Sequence, residues 1–177
     1  MNRIQRIDWT ILRALRHTLR CRALDFLMPK ITALGNGGAV WIAAAGALLL
    51  SRTYRAYGIA LAAALAVGAL AGNLCLKPLI ARPRPCWLEP VALPIRVPTD
   101  FSFPSGHTLA SVIGAYVLTA ANRGFGWPAV LRAVLIGFSR LYLFVHFPSD
   151  VLAAAVIGTG LGAAAVQLAR SCLPLAG

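Results

Sequence analysis

In the stretch SRLYLFVHFPSD, residues 139–150, Arg140, His146 and Asp150 stand within or beside long apolar runs. Ionisable groups in or at the edge of a bilayer are costly, so they are the first candidates for function. A carboxylate that accepts one ring N–H of a histidine fixes its tautomer and frees the other nitrogen to attack an electrophile. His146 as nucleophile and Asp150 as its orienter is the chemistry this spacing suggests. A second histidine, His107, closes the tetrapeptide PSGH at 104–107. It can protonate a departing oxygen, a general-acid role worth typically ~10²–10⁴-fold. Within PSGH, Ser105 stands where it can cap a following helix, and Gly106 lets backbone approach a ligand closely. N–H groups at such a helix start favour phosphate. Lys77, Arg84 and Arg140 add fixed cations. The arginine fork matches phosphate oxygens bidentately, and lysine acts as a compact point charge. The set describes an anion site able to stabilise a transferred phosphoryl group.

Taken singly, each group has a plainer reading. A lone arginine at a membrane edge is most often a headgroup anchor, and Arg82 and Arg96 are read that way. Asp150 alone can cap a helix through its dipole. Either histidine alone would be an ordinary interfacial residue. The functional reading therefore depends on whether the chain brings these groups to one place.

The chain is built for a membrane. Of its 177 residues 59% are apolar and 12% charged, and its mean hydropathy is +0.73. A soluble globule does not have these values. The net charge of +12 arises from 17 Lys/Arg against five acids, Asp8, Asp25, Glu89, Asp100 and Asp150. The basic residues lie mostly between apolar runs, which makes nucleic acid a poor reading of the charge, and none is expected as a partner; anionic lipids or an anionic substrate fit better. Cys21, Cys75, Cys86 and Cys172 have no metal-ligand spacing and read as small fillers rather than as a disulfide pair. No carboxylate cluster is available for a metal, so no metal or cofactor is expected.

Five stretches, 31–50, 56–76, 105–122, 128–145 and 151–169, are near the ~20 residues a spanning helix needs. Gly68/Gly72 and Gly158/Gly162 are GxxxG pairs suited to close helix approach. Ahead of them, Ile4, Ile7, Ile11, Leu12, Leu15 and Leu19 form one stripe of an arginine-rich segment. That pattern suits a helix lying in the headgroup plane. The GNGG at 35–38 reads as a breaker leading into the first span. The fold expected is all-α: a polytopic bundle of five spanning helices over residues 23–177, preceded by an interfacial amphipathic helix over 1–22. With alternating crossings, the end of the second span, the start of the third, the end of the fourth and the start of the fifth share one face. Lys77, PSGH, His146 and Asp150 then meet. The proline-rich connection 77–103 cannot be a continuous helix and should form an ordered, extended cover.

The sequence resembles the type 2 phosphatidic acid phosphatase family, whose signature is KxxxxxxRP, then PSGH, then SRxxxxxHxxxD. Here KPLIARPRP at 77–85, PSGH at 104–107 and SRLYLFVHFPSD at 139–150 match at every signature position. The resemblance implies phosphoryl transfer through a phosphohistidine on His146, oriented by Asp150, with His107 as leaving-group acid. Lys77, Arg84, Ser105, Gly106 and Arg140 would bind the phosphate; Arg82, in the variable part of the first motif, is given no role. By the same analogy the substrate is a lipid phosphate or pyrophosphate, undecaprenyl pyrophosphate first, phosphatidylglycerol phosphate or phosphatidate next. The analogy also places the protein in a bacterial cytoplasmic membrane with its site on the outer face. The positive-inside rule points the other way, because residues 1–34 carry seven Lys/Arg. A transporter of an anionic substrate is the non-enzyme alternative. It would be expected to show internal repeats or helices broken near mid-membrane.

Overall fold

The computed structural model describes residues 3–172, and every regular element among them is helical. The first, α1 (Arg3–Leu19), buries Asp8, Trp9 and Leu12. Trp9 packs edge-on against Phe147 at 5.1 Å between ring centres. The stripe expected on one face is divided. Leu12 turns inward with Trp9, while Ile4, Ile7 and Ile11 remain exposed. Tertiary packing selects the face at 8, 9 and 12, and the isoleucines lie with the arginines on the outside.

Next comes α2 (Arg22–Ala33), then a 3₁₀ turn over Asn36–Gly38, then α3 (Ala39–Leu50). The two helices meet at a bend of 41°. A single helix over 31–50 is therefore not what forms. Gly37 and Gly38 adopt φ of 59° and 69°, left-handed backbone that glycine takes without steric cost. The fourth helix, α4 (Arg55–Ala69), runs into a π-helical segment, Leu70–Leu76, and on into α5 (Lys77–Ile80). Helical structure stops at Ala81 (φ 47°), just ahead of Pro83. After α6 (Pro85–Leu88) the chain runs to Ser105 without regular structure and bends at Glu89, Pro94–Ile95, Asp100 and Phe103–Pro104; the prolines rule out a continuous helix.

Three long helices complete the bundle: α7 (Gly106–Ala121), α8 (Arg123–Tyr142) and α9 (Pro148–Cys172). Asn122 starts α8 by accepting the Gly124 N–H at 2.7 Å. The central helix is α7, packed against α4, α8 and α9. Both GxxxG pairs face it. A Cβ at Gly68 would lie 2.8 Å from Ile113 Cδ1, and one at Gly162 would lie 3.0 Å from Tyr116 Cβ. Leu61, Ile113, Val117 and Ala154 fill the centre. Outward, Leu74, Leu131, Val134, Leu152 and Val156 stay largely exposed. An apolar exterior around closed helical backbones is what hydrocarbon demands. The segment Arg55–Leu88 and α9 are long and apolar enough to cross a membrane, as are α2 and α3 taken as one bent span.

Candidate active site

His146 sits in the turn between α8 and α9, fully buried against Arg84 and Ser102 of the proline-rich connection. Phe144, at φ 59°, helps turn the chain so sharply. Arg84 Nη1 lies 3.0 Å from His146 Nε2. A guanidinium has donors only, so Nε2 must accept and the ring proton resides on Nδ1. The nitrogen facing the cations is thus the basic one. Burial, reinforced by the charges of Arg84 and Arg140, pushes the His146 pKa down to about 3 against the opposing pull of Asp150.

The direct His146–Asp150 hydrogen bond expected from the four-residue spacing is replaced by a relay. Nδ1 stands 3.7 Å from Asp150 Oδ2, beyond hydrogen-bond length. Between them Ser102 Oγ lies 3.4 Å from Nδ1 and donates to Asp150 Oδ2 at 2.5 Å. The same carboxylate oxygen accepts the Phe147 N–H at 2.8 Å, and Oδ1 accepts Arg82 Nη1–H at 2.5 Å. Asp150 is completely buried, and these donors compensate its charge.

Arg84, also buried, donates to the carbonyls of Val145 and Asp100, each at 2.7 Å, and to Asp100 Oδ1 at 2.8 Å. Lys77, at the end of the π-helical segment, pairs with the other Asp100 oxygen. Burial raises the Asp100 pKa, but Lys77 and Arg84 outweigh it and hold the carboxyl down at about 2. A half-exposed carboxylate thus bridges two of the phosphate-binding candidates. Arg140 donates through Nη1 to Thr32 Oγ1 of α2 at 2.7 Å. Its Nε is the one buried side-chain nitrogen or oxygen among the described residues without a hydrogen-bond partner. Such a group is ready for an anion.

PSGH opens α7. Ser105 occupies the cap position, but its side chain makes no cap bond to the helix and accepts Thr108 Oγ1–H at 3.0 Å instead. A Cβ on Gly106 would lie 3.9 Å from Lys77 Nζ, so the helix start adjoins that ammonium. His107 Nε2 is 3.0 Å from Asn36 Oδ1 in the 3₁₀ turn. Gly35 packs so closely that a Cβ there would come within 2.8 Å of the His107 ring. The GNGG turn, read as a mere breaker, seats a candidate catalytic side chain. Arg82 is no headgroup anchor: its guanidinium is bound by Asp150 and by Asp8 of α1 at 2.6 Å.

Lys77, Arg84, Gly106, His107, Arg140 and His146 all line one cavity of about 1340 Å³. It continues as an apolar trough between α3 and α4, past Ile42, Gly46, Leu49 and Ala62. All three motif segments reach this space. One end carries cations and two imidazoles; the other can take only hydrocarbon.

Residues 53–172 match the profile of the PAP2 superfamily. The chain belongs to that superfamily. It is 34% identical over 131 residues to an undecaprenyl-diphosphatase of Sulfolobus acidocaldarius, covering 73% of this chain and 63% of the relative. It is 33% identical over 96 residues to undecaprenyl-diphosphatase BcrC of Bacillus subtilis, covering 54% and 50%. The chain thus spans between half and two thirds of the length of these curated relatives. Among solved structures, the PAP2-type phosphatidylglycerolphosphate phosphatase of Bacillus subtilis superposes with a TM-score of 0.81 at 28% identity, over 99% of this chain and 90% of that one. Aquifex aeolicus LpxE gives 0.79 at 29% identity, over 91% and 95%. This PAP2 chain therefore shares its superfamily and its architecture with a transmembrane PAP2-type phosphatase.

Proposed function

We propose that this PAP2 protein hydrolyses a lipid phosphate or pyrophosphate through a phosphohistidine on His146. The observation that carries the reading is the cavity itself, where a basic imidazole nitrogen ringed by cations opens into an apolar trough. A phosphate entering from the lipid phase meets Lys77, Arg84, the orphan Nε of Arg140 and the backbone at Gly106. It replaces the Asp100 carboxylate as their counter-ion and draws Arg84 Nη1 from Nε2. Nε2 attacks phosphorus as the bond to the lipid oxygen breaks, and His107 gives that oxygen its proton. The phosphorylated ring, cationic with its Nδ1–H retained, is stabilised by the Ser102–Asp150 pair. Water then takes the phosphoryl group from Nε2 with His107 as base, which restores the resting state.

Undecaprenyl pyrophosphate is the first choice of substrate, supported by the names of the two relatives above. A phosphatidylglycerophosphatase B of Escherichia coli, 39% identical over 87 residues, keeps a glycerophospholipid phosphate as the second. Metal-independent turnover is part of the proposal; among the described residues no group of three or more His, Cys, Asp or Glu could hold a metal ion. In the membrane arrangement proposed, the segment 1–22 that contains α1 lies at the surface and five spans follow within 23–177. The site faces outward from a bacterial cytoplasmic membrane.

Purified protein in detergent is expected to release phosphate from a panel of lipid phosphates, with turnover surviving EDTA. His146→Ala should abolish release, and ³²P from labelled substrate should remain on denatured wild-type protein only. Undiminished turnover by His146→Ala would remove the nucleophile, and absence of any release across the panel would favour a transporter.

A further inference from the structure

The proposed reaction uses neither Arg82 nor Asp8, yet the half-buried Arg82 binds its orienting carboxylate and the buried Asp8 binds Arg82. Arg82 Nη1 donates to Asp150 Oδ1 at 2.5 Å and to Ser149 Oγ at 2.7 Å. Arg82 Nη2 donates to Asp8 Oδ2 at 2.6 Å and to Gln5 Oε1 at 3.0 Å. The guanidinium lies 4.2 Å above the Phe147 ring, and the Arg82 carbonyl accepts the Ser102 N–H at 2.9 Å. Asp8 holds Ser149 as well. Its Oδ1 accepts the Ser149 N–H at 2.9 Å and its Oδ2 accepts the hydroxyl at 2.5 Å. A carboxylate of α1 therefore binds the first turn of α9, where the helix dipole favours negative charge.

We propose that Asp8 and Arg82 are positioning residues for phosphoryl transfer: α1 holds Arg82 and Ser149, and through them sets the Asp150 carboxylate that orients His146. The proposal rests on His146 as nucleophile. Its physical basis is geometric and electrostatic. Arg82, itself held by Ser149 and Asp8, fixes Oδ1 from one side while Ser102 and Phe147 fix Oδ2 from the other, so Asp150 cannot rotate. Ser102, the link to His146 Nδ1, is itself tied to the Arg82 carbonyl. Two carboxylates share one guanidinium, which leaves the buried cluster with one net negative charge. That charge is matched when the imidazole becomes cationic on phosphorylation. Without Asp8, Arg82 would neutralise Asp150 alone, and the positive ring would lose stabilisation in the chemical step. Substrate binding, made by Lys77, Arg84 and Arg140, would be unaffected.

Steady-state kinetics on detergent-purified full-length variants, with a lipid phosphate as substrate, tests this. Asp8→Asn keeps the shape but puts an amide where Arg82 and Ser149 need an acceptor. It is expected to lower kcat by ~10-fold to 100-fold, the scale of a small misplacement of reacting groups, with KM within about twofold. ³²P-phosphoenzyme formation should slow in parallel, and Asp8→Glu should recover part of the loss because it restores a carboxylate. A rise in KM alone, or wild-type kcat in Asp8→Asn, would overturn the proposal. If Asp8→Asn does not fold, Ser149→Ala removes a single hydroxyl of the same network. It must lower kcat without raising KM, or the proposal fails. A dead His146→Ala beside a fully active Asp8→Asn refutes the positioning role alone, whereas an active His146→Ala refutes the nucleophile on which it stands.

Discussion

A buried imidazole that must attack as a neutral base should be hard to protonate, and His146 has that property. Burial and the neighbouring Arg84 and Arg140 hold its pKa at about 3, against roughly 6.5 for an unperturbed histidine. Between those values the unfolded chain binds a proton at this position and the folded chain does not. Stability at this site is therefore fully present above the unfolded pKa of ~6.5 and declines as pH falls toward about 3. His146→Asn removes that titration, so its melting temperature in detergent should fall less steeply than wild type between pH ~6.5 and ~4. Parallel slopes for the two proteins would contradict the buried neutral ring. The residues of this environment were unevenly legible. Lys77, Arg84, His107, Arg140, His146 and Asp150 announce themselves by motif spacing. Asp8, Asn36, Asp100 and Ser102 do not, because their partners are distant; Asp8 binds Ser149 across 141 positions. One signal was available. With only five acids in an apolar, strongly basic chain, each acid needs a cation. Asp8, Asp25, Glu89, Asp100 and Asp150 all have one.

At the scale of elements, hydropathy located the apolar segments and misjudged how one of them is bent. The run over 31–50 is apolar apart from Thr32 and GNGG, and hydropathy is blind to backbone sign. The left-handed glycines at 37 and 38 end the helical path, so Thr32 and Asn36 turn toward Arg140 and His107. The GxxxG pairs were legible because close approach demands small residues whatever the surroundings. The α3–α4 trough could not be read from sequence, since it is a space between elements. Gly46, in α3, lines it with no atom within 4 Å of a Cβ placed there. Gly46→Leu should therefore fill the trough without a clash, and helix propensity favours Leu over Gly by somewhat under 1 kcal/mol. If hydrocarbon lies there, displacing about two methylenes costs ~1.6 kcal/mol at ~0.8 each. KM for a long-chain lipid phosphate should rise by roughly an order of magnitude, while kcat/KM for a soluble short-chain phosphate stays level. Equal changes for both substrates would place the tail elsewhere.

For the molecule as a whole, the orientation of the site end in the bilayer decides which compartment the phosphate enters. The proposed outward site and the arginine distribution make opposite demands, and one face must carry both α1 and the cavity. Two native cysteines mark the two ends. Exposed Cys21 lies beside Tyr142, at the site end of α8, its carbonyl 3.4 Å from the tyrosine hydroxyl. Exposed Cys172 ends α9, some ~37 Å along a 25-residue helix from the His146 turn. Variants retaining one of these two thiols, with Cys75 and Cys86 replaced by Ser and Ala, make the orientation measurable on intact cells. An outward site predicts that a membrane-impermeant maleimide labels Cys21 before lysis and Cys172 only after it. The reverse pattern would turn the site to the cytoplasm, where the seven Lys/Arg of residues 1–34 would meet the anionic inner leaflet they favour. Labelling of both thiols on intact cells would be the most damaging result. The α9 helix would then not cross the bilayer, and the convergence of three motifs on one membrane face would need another explanation.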